Sequence, residues 1–243
     1  MNYQKFAEFL TTLGSLNGYA STVADTRLAL ETNNAKLLTK GENDAIIFQD
    51  ALAGIAEIKQ IGFSVDGIIA INKAFKSGGD EQPIIPGHLR NAMYNTDDNV
   101  HIILDEITQA AYLAPEVVTK NDLQAIVNGW DASPKLGADA WLIFAKIAKL
   151  QPFQDGNKRT ALIAANMAFG AFETDNYLLI PSVTSMRYRF TADLMDYYGA
   201  TNTEQEMASF KSMISWTNQE QLTSNKLTET FEERQFNAKT QEF

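Results

Sequence analysis

Gln151-Pro152-Phe153-Gln154-Asp155-Gly156-Asn157-Lys158-Arg159-Thr160 lies between the two most apolar stretches of the chain. Pro152 discourages continuation of a preceding helix, and Gly156 permits backbone angles that expose consecutive N–H groups. Asn157 stands where the next helix begins. A glycine-containing turn that feeds a helix forms an anion cradle, because unpaired N–H groups and the positive end of the helix dipole both face the loop. Lys158 and Arg159 add cationic donors suited to phosphate oxygens, and Asp155 supplies a hard oxygen ligand for Mg²⁺. Together these residues suggest a nucleotide polyphosphate with its metal. On the residues alone the commoner reading is a plain helix–loop–helix connection, with Asp155 or Asn157 as a cap and a solvated Lys-Arg pair, since short turn motifs are frequent.

Helical periodicity extends outward on both sides of the loop. Upstream, residues 136–150 carry Trp141, Leu142, Phe144, Ile147, Ala148 and Leu150 on a face broad enough to imply burial at the centre of the fold. Downstream, a helix starts near Asn157 and runs through Phe169 to Gly170, a glycine suited to a C-terminal stop. Residues 120–130 read as a further helix. From Ala29 to Lys73 apolar residues recur at three- and four-residue spacings, as in Ile46, Ile47, Ala51, Leu52, Ile55 and Ile58, with an interruption at Gly62. The turn formers of residues 77–83 mark a boundary between an N-terminal helical segment, 1–80, and a main body, 81–216. Residues 100–104 and 110–113 pair as a short hairpin or begin a helix. The remaining 217–243, polar with sparse Leu222, Leu227, Phe231 and Phe236, read as a peripheral helix or a disordered tail.

Composition narrows the function. Of 243 residues 45% are apolar and 21% charged, as in ordinary globular proteins. The net charge of −10, with 20 scattered Lys and Arg, argues against nucleic acid as a partner. The absence of cysteine excludes disulfides, thiol nucleophiles and thiolate zinc sites, which leaves His88 and His101 as the imidazoles available for acid–base work. The first ten residues lack the continuous apolar core of a signal peptide, and no stretch approaches the roughly 18 apolar residues of a membrane span, so a cytoplasmic location and no membrane association are expected. The long apolar helices at 136–150 and 157–170 leave room for a homodimer.

The loop resembles the signature of the Fic/Doc family, His-Pro-Phe-x-(Asp/Glu)-Gly-Asn-(Gly/Lys)-Arg, matching at Pro152, Phe153, Asp155, Gly156, Asn157, Lys158 and Arg159 and continuing with Thr160 and Ala161 as the Lys form often does. More weakly, Gly87-His88-Leu89-Arg90-Asn91, the 100–113 segment and Pro115 resemble the Gly-x-Leu-Arg segment and target-docking flap of longer members, so that the resemblance covers roughly residues 20–215. It implies an all-α fold, a Fic-type helical bundle with a small β-hairpin flap and an N-terminal helical extension. It also implies transfer of AMP from ATP to a hydroxyl of a target protein, or of a terminal phosphate in the Doc branch. Carried over by position, Asp155 would hold Mg²⁺, Gly156, Asn157 and Lys158 would meet phosphate oxygens, Arg159 would neutralise the polyphosphate, and Phe153 would anchor the loop in the core.

Three departures stand out. Gln151 occupies the place of the family's catalytic histidine, and an amide cannot titrate to take a proton from a hydroxyl; a lost base costs on the order of 10²–10⁴ in rate. Neither His88 nor His101 belongs to this loop. Leu162 replaces the second arginine of AMP-transferring members, which leans toward the Doc-like spelling. The family's inhibitory Ser/Thr-x-x-x-Glu-Gly/Asn motif has its nearest counterpart in a helix near 15–31, at Ser21 to Thr26, where Asp25 is one methylene short of the glutamate. The next register, from Thr22, brings Thr26 to that place, and an ordinary polar helix turn explains the stretch equally well. A similar spacing at Thr228 to Glu232 is discounted as a chance match in a polar tail. Three readings follow: a Fic-type nucleotidyltransferase that is impaired or inactive, a non-catalytic nucleotide- or protein-binding regulator, and a Doc-like phosphotransferase.

Overall fold

The computed structural model describes residues 1–78 and 83–223. The middle of the turn at 77–83, the tail residues Leu227, Phe231 and Phe236, and the Thr228 to Glu232 spacing lie outside the described residues. Within them the chain forms eleven α-helices and one two-stranded hairpin, as the all-α expectation requires.

Local signals account for most element ends. In α1 (Tyr3–Gly14) the Asn2 side chain accepts from the N–H groups of Gln4 and Lys5, and Phe6, Phe9, Leu10 and Leu13 recur on one buried face. A reciprocal pair of bonds between Thr22 and Asp25 opens α2 (Val23–Thr32), which ends at a left-handed Asn33. The interruption expected at Gly62 is the stop of α3 (Asp44–Ile61), where the glycine adopts φ 87° before α4 (Val65–Lys73) restarts on a Ser64 cap.

The two readings of residues 100–113 resolve in favour of the hairpin. β1 (His101–Asp105) pairs antiparallel with β2 (Ala110–Leu113), Ile102 opposite Tyr112, with a bulge between Ile103 and Asp105. Then follow α5 (Lys120–Asp131), α6 (Gly137–Leu150), α7 (Asn157–Phe169), α8 (Ala171–Thr174), α9 (Thr184–Gly199), α10 (Thr203–Ser215) and α11 (Gln219–Thr223). Ile102, Leu104 and Tyr112 pack the hairpin against the bundle core. Tyr112 donates its hydroxyl to the Lys149 carbonyl at 2.9 Å and stacks on Tyr198 at 5.8 Å.

The central element is α7, against which α1, α3, α4 and α6 pack. Every side chain from Arg159 to Asn166 is buried, and alanines at 161, 164 and 165 allow the neighbours to approach closely. Asn166 is buried among them because it has partners: it donates to the Leu162 and Leu178 carbonyls and accepts from the Leu178 N–H, fixing the chain that leaves α8. Residues on both sides of the turn at 77–83 share one continuous core that runs from Phe6 to Ile214. No described helix is long and apolar enough to cross a membrane.

Phe9 of α1 joins the two ends of that core, its ring 5.1 Å from Tyr177 and 5.8 Å from Phe172. Phe9→Ala is expected to cost about 3–5 kcal/mol and to lower the midpoint of one cooperative transition. Calorimetry that resolved separate transitions for the N-terminal helices and the remainder would contradict a shared core.

Candidate functional site

The loop at 151–156 joins two buried helices, and its ends are shaped by backbone that few residues adopt. Gln151, the C-cap of α6, is left-handed at φ 50° and ψ 58°, and Gly156 precedes α7 at φ 75°. Glycine is needed at 156 for a second reason: a Cβ there would lie 2.7 Å from the Phe75 ring. Phe153 is fully buried, as its anchoring role requires.

The side chains of Gln151 and Asn157 close a brace across the loop. Gln151 donates to the Ala148 carbonyl and accepts from the Asn157 amide at 2.9 Å; Asn157 also donates to the Phe153 carbonyl and accepts from its N–H. Both are buried. The Gln151 amide is thus occupied in holding the loop. Asn157 turns its side chain inward, so the part of it that can meet an anion is its backbone N–H in the first helical turn, where helical acceptors are lacking.

Behind the loop lies a buried charge cluster. Arg159 has no exposed surface; its guanidinium lies 4.0 Å from the Asp50 carboxylate, 3.7 Å from that of Asp155 and 4.9 Å from the centre of the Phe75 ring. Asp50, also fully buried, accepts in addition from the N–H groups of Lys76 and Ser77. Arg159 therefore presents no exposed surface at the loop. The Asp155 carboxylate remains 37% exposed while its carbonyl accepts from Asn72. Lys158 reaches back to the Leu16 carbonyl at 3.2 Å, which links the loop to the turn after α1. Leu162 is wholly within the core.

A second strip of chain lines the loop in the opposite direction. The Ile85 N–H donates to Gln154, the Gly87 N–H to Asn72, and the Arg90 N–H to the Pro152 carbonyl. Fully buried Arg90 then spends its guanidinium on the carbonyls of Gln151, Asp98 and Pro115. Asp98, in a 3-10 turn before β1, gathers the Asn91 N–H, the His88 ring, the Asn95 amide and the Gln154 amide. Burial would push its carboxyl upward, but the bonds from Asn91, His88 and Gln154 outweigh it and hold the group below the usual carboxylate range.

Ser21 and Asp25 are engaged elsewhere. Ser21 donates its N–H and hydroxyl to buried Asp44, and Asp25, its carboxyl lowered to about 2 by Lys40 and then by Thr22, closes the first turn of α2. Neither bonds to residues 151–160. Tyr197 and Tyr198 are packed in the core and Tyr188 is exposed, so these rings do not converge on one pocket. Asp50, Asn72 and Asp98 carry one sequence signal, a polar residue on an otherwise apolar face or turn, and nothing local to Arg90 signals its reach to three distant carbonyls.

The residues fit a phosphate chain with a hard cation. The first turn of α7 offers N–H donors, Lys158 adds charge, and Asp155 offers an accessible carboxylate oxygen. Among the described residues no three acidic, histidine or cysteine side chains converge, so a cation there would complete its shell with phosphate and water oxygens.

Residues 62–169 match the family model described as Fic/DOC family. Among solved structures, a fragment of Fic-1 from C. elegans superposes with a TM-score of 0.59 at 17% identity, over 89% of this chain and 62% of that one. A Fic domain containing signaling protein from Bacteroides thetaiotaomicron gives 0.62 at 15% identity, over 86% and 79%. At these identities the likeness is one of fold, and the chain spans less than two thirds of the C. elegans fragment. No curated protein matches the sequence.

Removal of Asp50 leaves the Arg159 guanidinium buried with less compensation and uncaps residues 76–77, so Asp50→Ala is expected to cost about 3–5 kcal/mol in urea unfolding. Asp98 predicts a pH dependence. Its carboxyl is more acidic folded than unfolded, so its contribution is complete above the unfolded value of about 3.9 and is lost as pH falls through the folded one. Amide exchange of residues 88–98 is expected to accelerate in that acid range, and to do so less in Asp98→Asn.

Proposed function

We propose that the chain, whose residues 62–169 match the Fic/DOC family model, binds a nucleoside triphosphate with Mg²⁺ at the start of α7 and transfers AMP slowly to a hydroxyl of a protein. The observation that carries this reading is the loop itself: a left-handed Gly156 that opens the first turn of α7 beside the exposed carboxylate of Asp155. Those N–H groups suit the phosphate oxygens, Lys158 adds a positive charge, and buried Arg159 contributes field. A bound Mg²⁺ would neutralise phosphate charge, with Asp155 as its protein ligand.

In the transfer, the target hydroxyl oxygen forms a bond to the α-phosphorus, the bond from that phosphorus to the bridging oxygen breaks, and pyrophosphate leaves with the electron pair. The hydroxyl proton must go to a base. Gln151 cannot take it, because its amide does not titrate and both its polar atoms are engaged. That same engagement favours, as a second reading, a regulator that binds nucleotide without turnover. The burial of Leu162 where AMP-transferring members have arginine favours phosphotransfer over AMP transfer as a variant of the first reading.

Calorimetric titration with ATP and Mg²⁺ tests the site. Asp155→Asn is the informative variant, because Asn157 and Arg159 are both structural and their removal would disturb folding. Wild type is expected to bind, and Asp155→Asn to bind roughly tenfold more weakly with Mg²⁺, about 1.4 kcal/mol, in a chain that still unfolds in one cooperative transition. Absence of binding to the wild-type chain would remove the nucleotide reading.

A further inference from the structure

We propose that His88, held in orientation by Asp98, is the proton acceptor in the transfer. The inference rests on the transferase reading and supplies the base that Gln151 cannot be.

Its first support is position. Residues 85–90 run antiparallel to the loop: Ile85 bonds to Gln154, Gly87 shares Asn72 with the Asp155 carbonyl, and Arg90 bonds to Pro152 and Gln151. His88 lies between Gly87 and Arg90 on this strip and reaches the loop through Asp98, which also holds Gln154. One carboxylate joins the ring to the loop, since Asp98 accepts from His88 at 2.9 Å through one oxygen and from Gln154 at 2.8 Å through the other.

The second support is the state of the ring. Asp98 is fully buried and its carboxyl is held in the ionised form by its donors. An ionised carboxylate accepts, so the Nε2 atom that faces it carries the hydrogen, and a neutral ring then has its lone pair on Nδ1. Among the described residues Nδ1 has no hydrogen-bond partner, and the side chain is 35% exposed. A carboxylate that fixes the tautomer while the other nitrogen stays open is the arrangement by which a histidine base is oriented in acyl-transfer enzymes, with the two ring nitrogens exchanged. Asp98 is the one charged side chain that pairs with His88 among the described residues. The other imidazole, His101, lies at the start of β1 and is exposed.

The proton balance is then complete. As the hydroxyl oxygen bonds to the α-phosphorus, its proton passes to His88 Nδ1, pyrophosphate departs, and the imidazolium that results is stabilised by ionised Asp98.

His88→Gln tests this with little disturbance, because a glutamine amide can still donate to Asp98 but cannot take a proton. Transfer of label from [α-³²P]ATP to the chain itself would be followed under single-turnover conditions, beside ATP·Mg²⁺ binding by calorimetry. The expected result is a fall in rate on the order of 100-fold with binding and melting temperature unchanged. Nitrogen-15 NMR of the full chain, assigned with His101→Gln, is expected to show a protonated Nε2 and a bare Nδ1 at alkaline pH. A His88→Gln chain that transfers at the wild-type rate, or the reverse tautomer, overturns the assignment while leaving the transferase reading in place. A wild-type chain that binds ATP·Mg²⁺ but forms no labelled product overturns both.

Discussion

Arg90 has no exposed surface, and a guanidinium taken out of water must find acceptors where it is buried. It finds three in segments far apart in sequence: the carbonyls of Gln151 at the end of α6, Asp98 before the hairpin, and Pro115 after it. Its own N–H and carbonyl extend the same contact to Pro152 and Val118. One residue thereby sets where the loop lies relative to the strip that faces it and to the hairpin beside them. The Asp98 hub forms in that setting, because the turn that carries Asp98 is held against Gln154 and His88.

A second buried cation governs the other side of the loop. Arg159, with Asp50 and Asp155, sits beneath the first turn of α7. The Phe75 ring occupies the space that a side chain at 156 would need. The loop is thus supported from below by charge and ring, and from within by the Gln151–Asn157 brace. Gln154, Asp155 and Lys158 of the loop keep partial exposure, as does the His88 ring beside it. Gln151, Asn157 and Arg159, by contrast, are used by the fold for support.

Much of the architecture was legible in the residues. The interruption at Gly62, the stop at Gly170 and the apolar faces of α3, α6 and α7 are local signals that the structure follows. The hairpin at 101–113 was ambiguous because short apolar runs suit strand and helix alike, and the docking of Tyr112 on Lys149 and Tyr198 is a long-range contact. At the site, the buried anchor Phe153 and the turn at Gly156 could be read from their residue types. Asp50, Asn72 and Asp98 could not, since a buried polar residue is distinguished from a solvated one by what packs over it.

The sequence by itself determined the helices at 120–130, 136–150 and 157–170, the loop between α6 and α7, and the glutamine at 151, because periodicity and turn chemistry act between residues a few positions apart. Tertiary structure alone decided that Arg159 is sealed against Asp50 and that His88 faces the loop through Asp98. Those facts depend on which segments of a long chain are packed together, and a charge in the sequence carries no record of whether another segment will cover it or leave it in water.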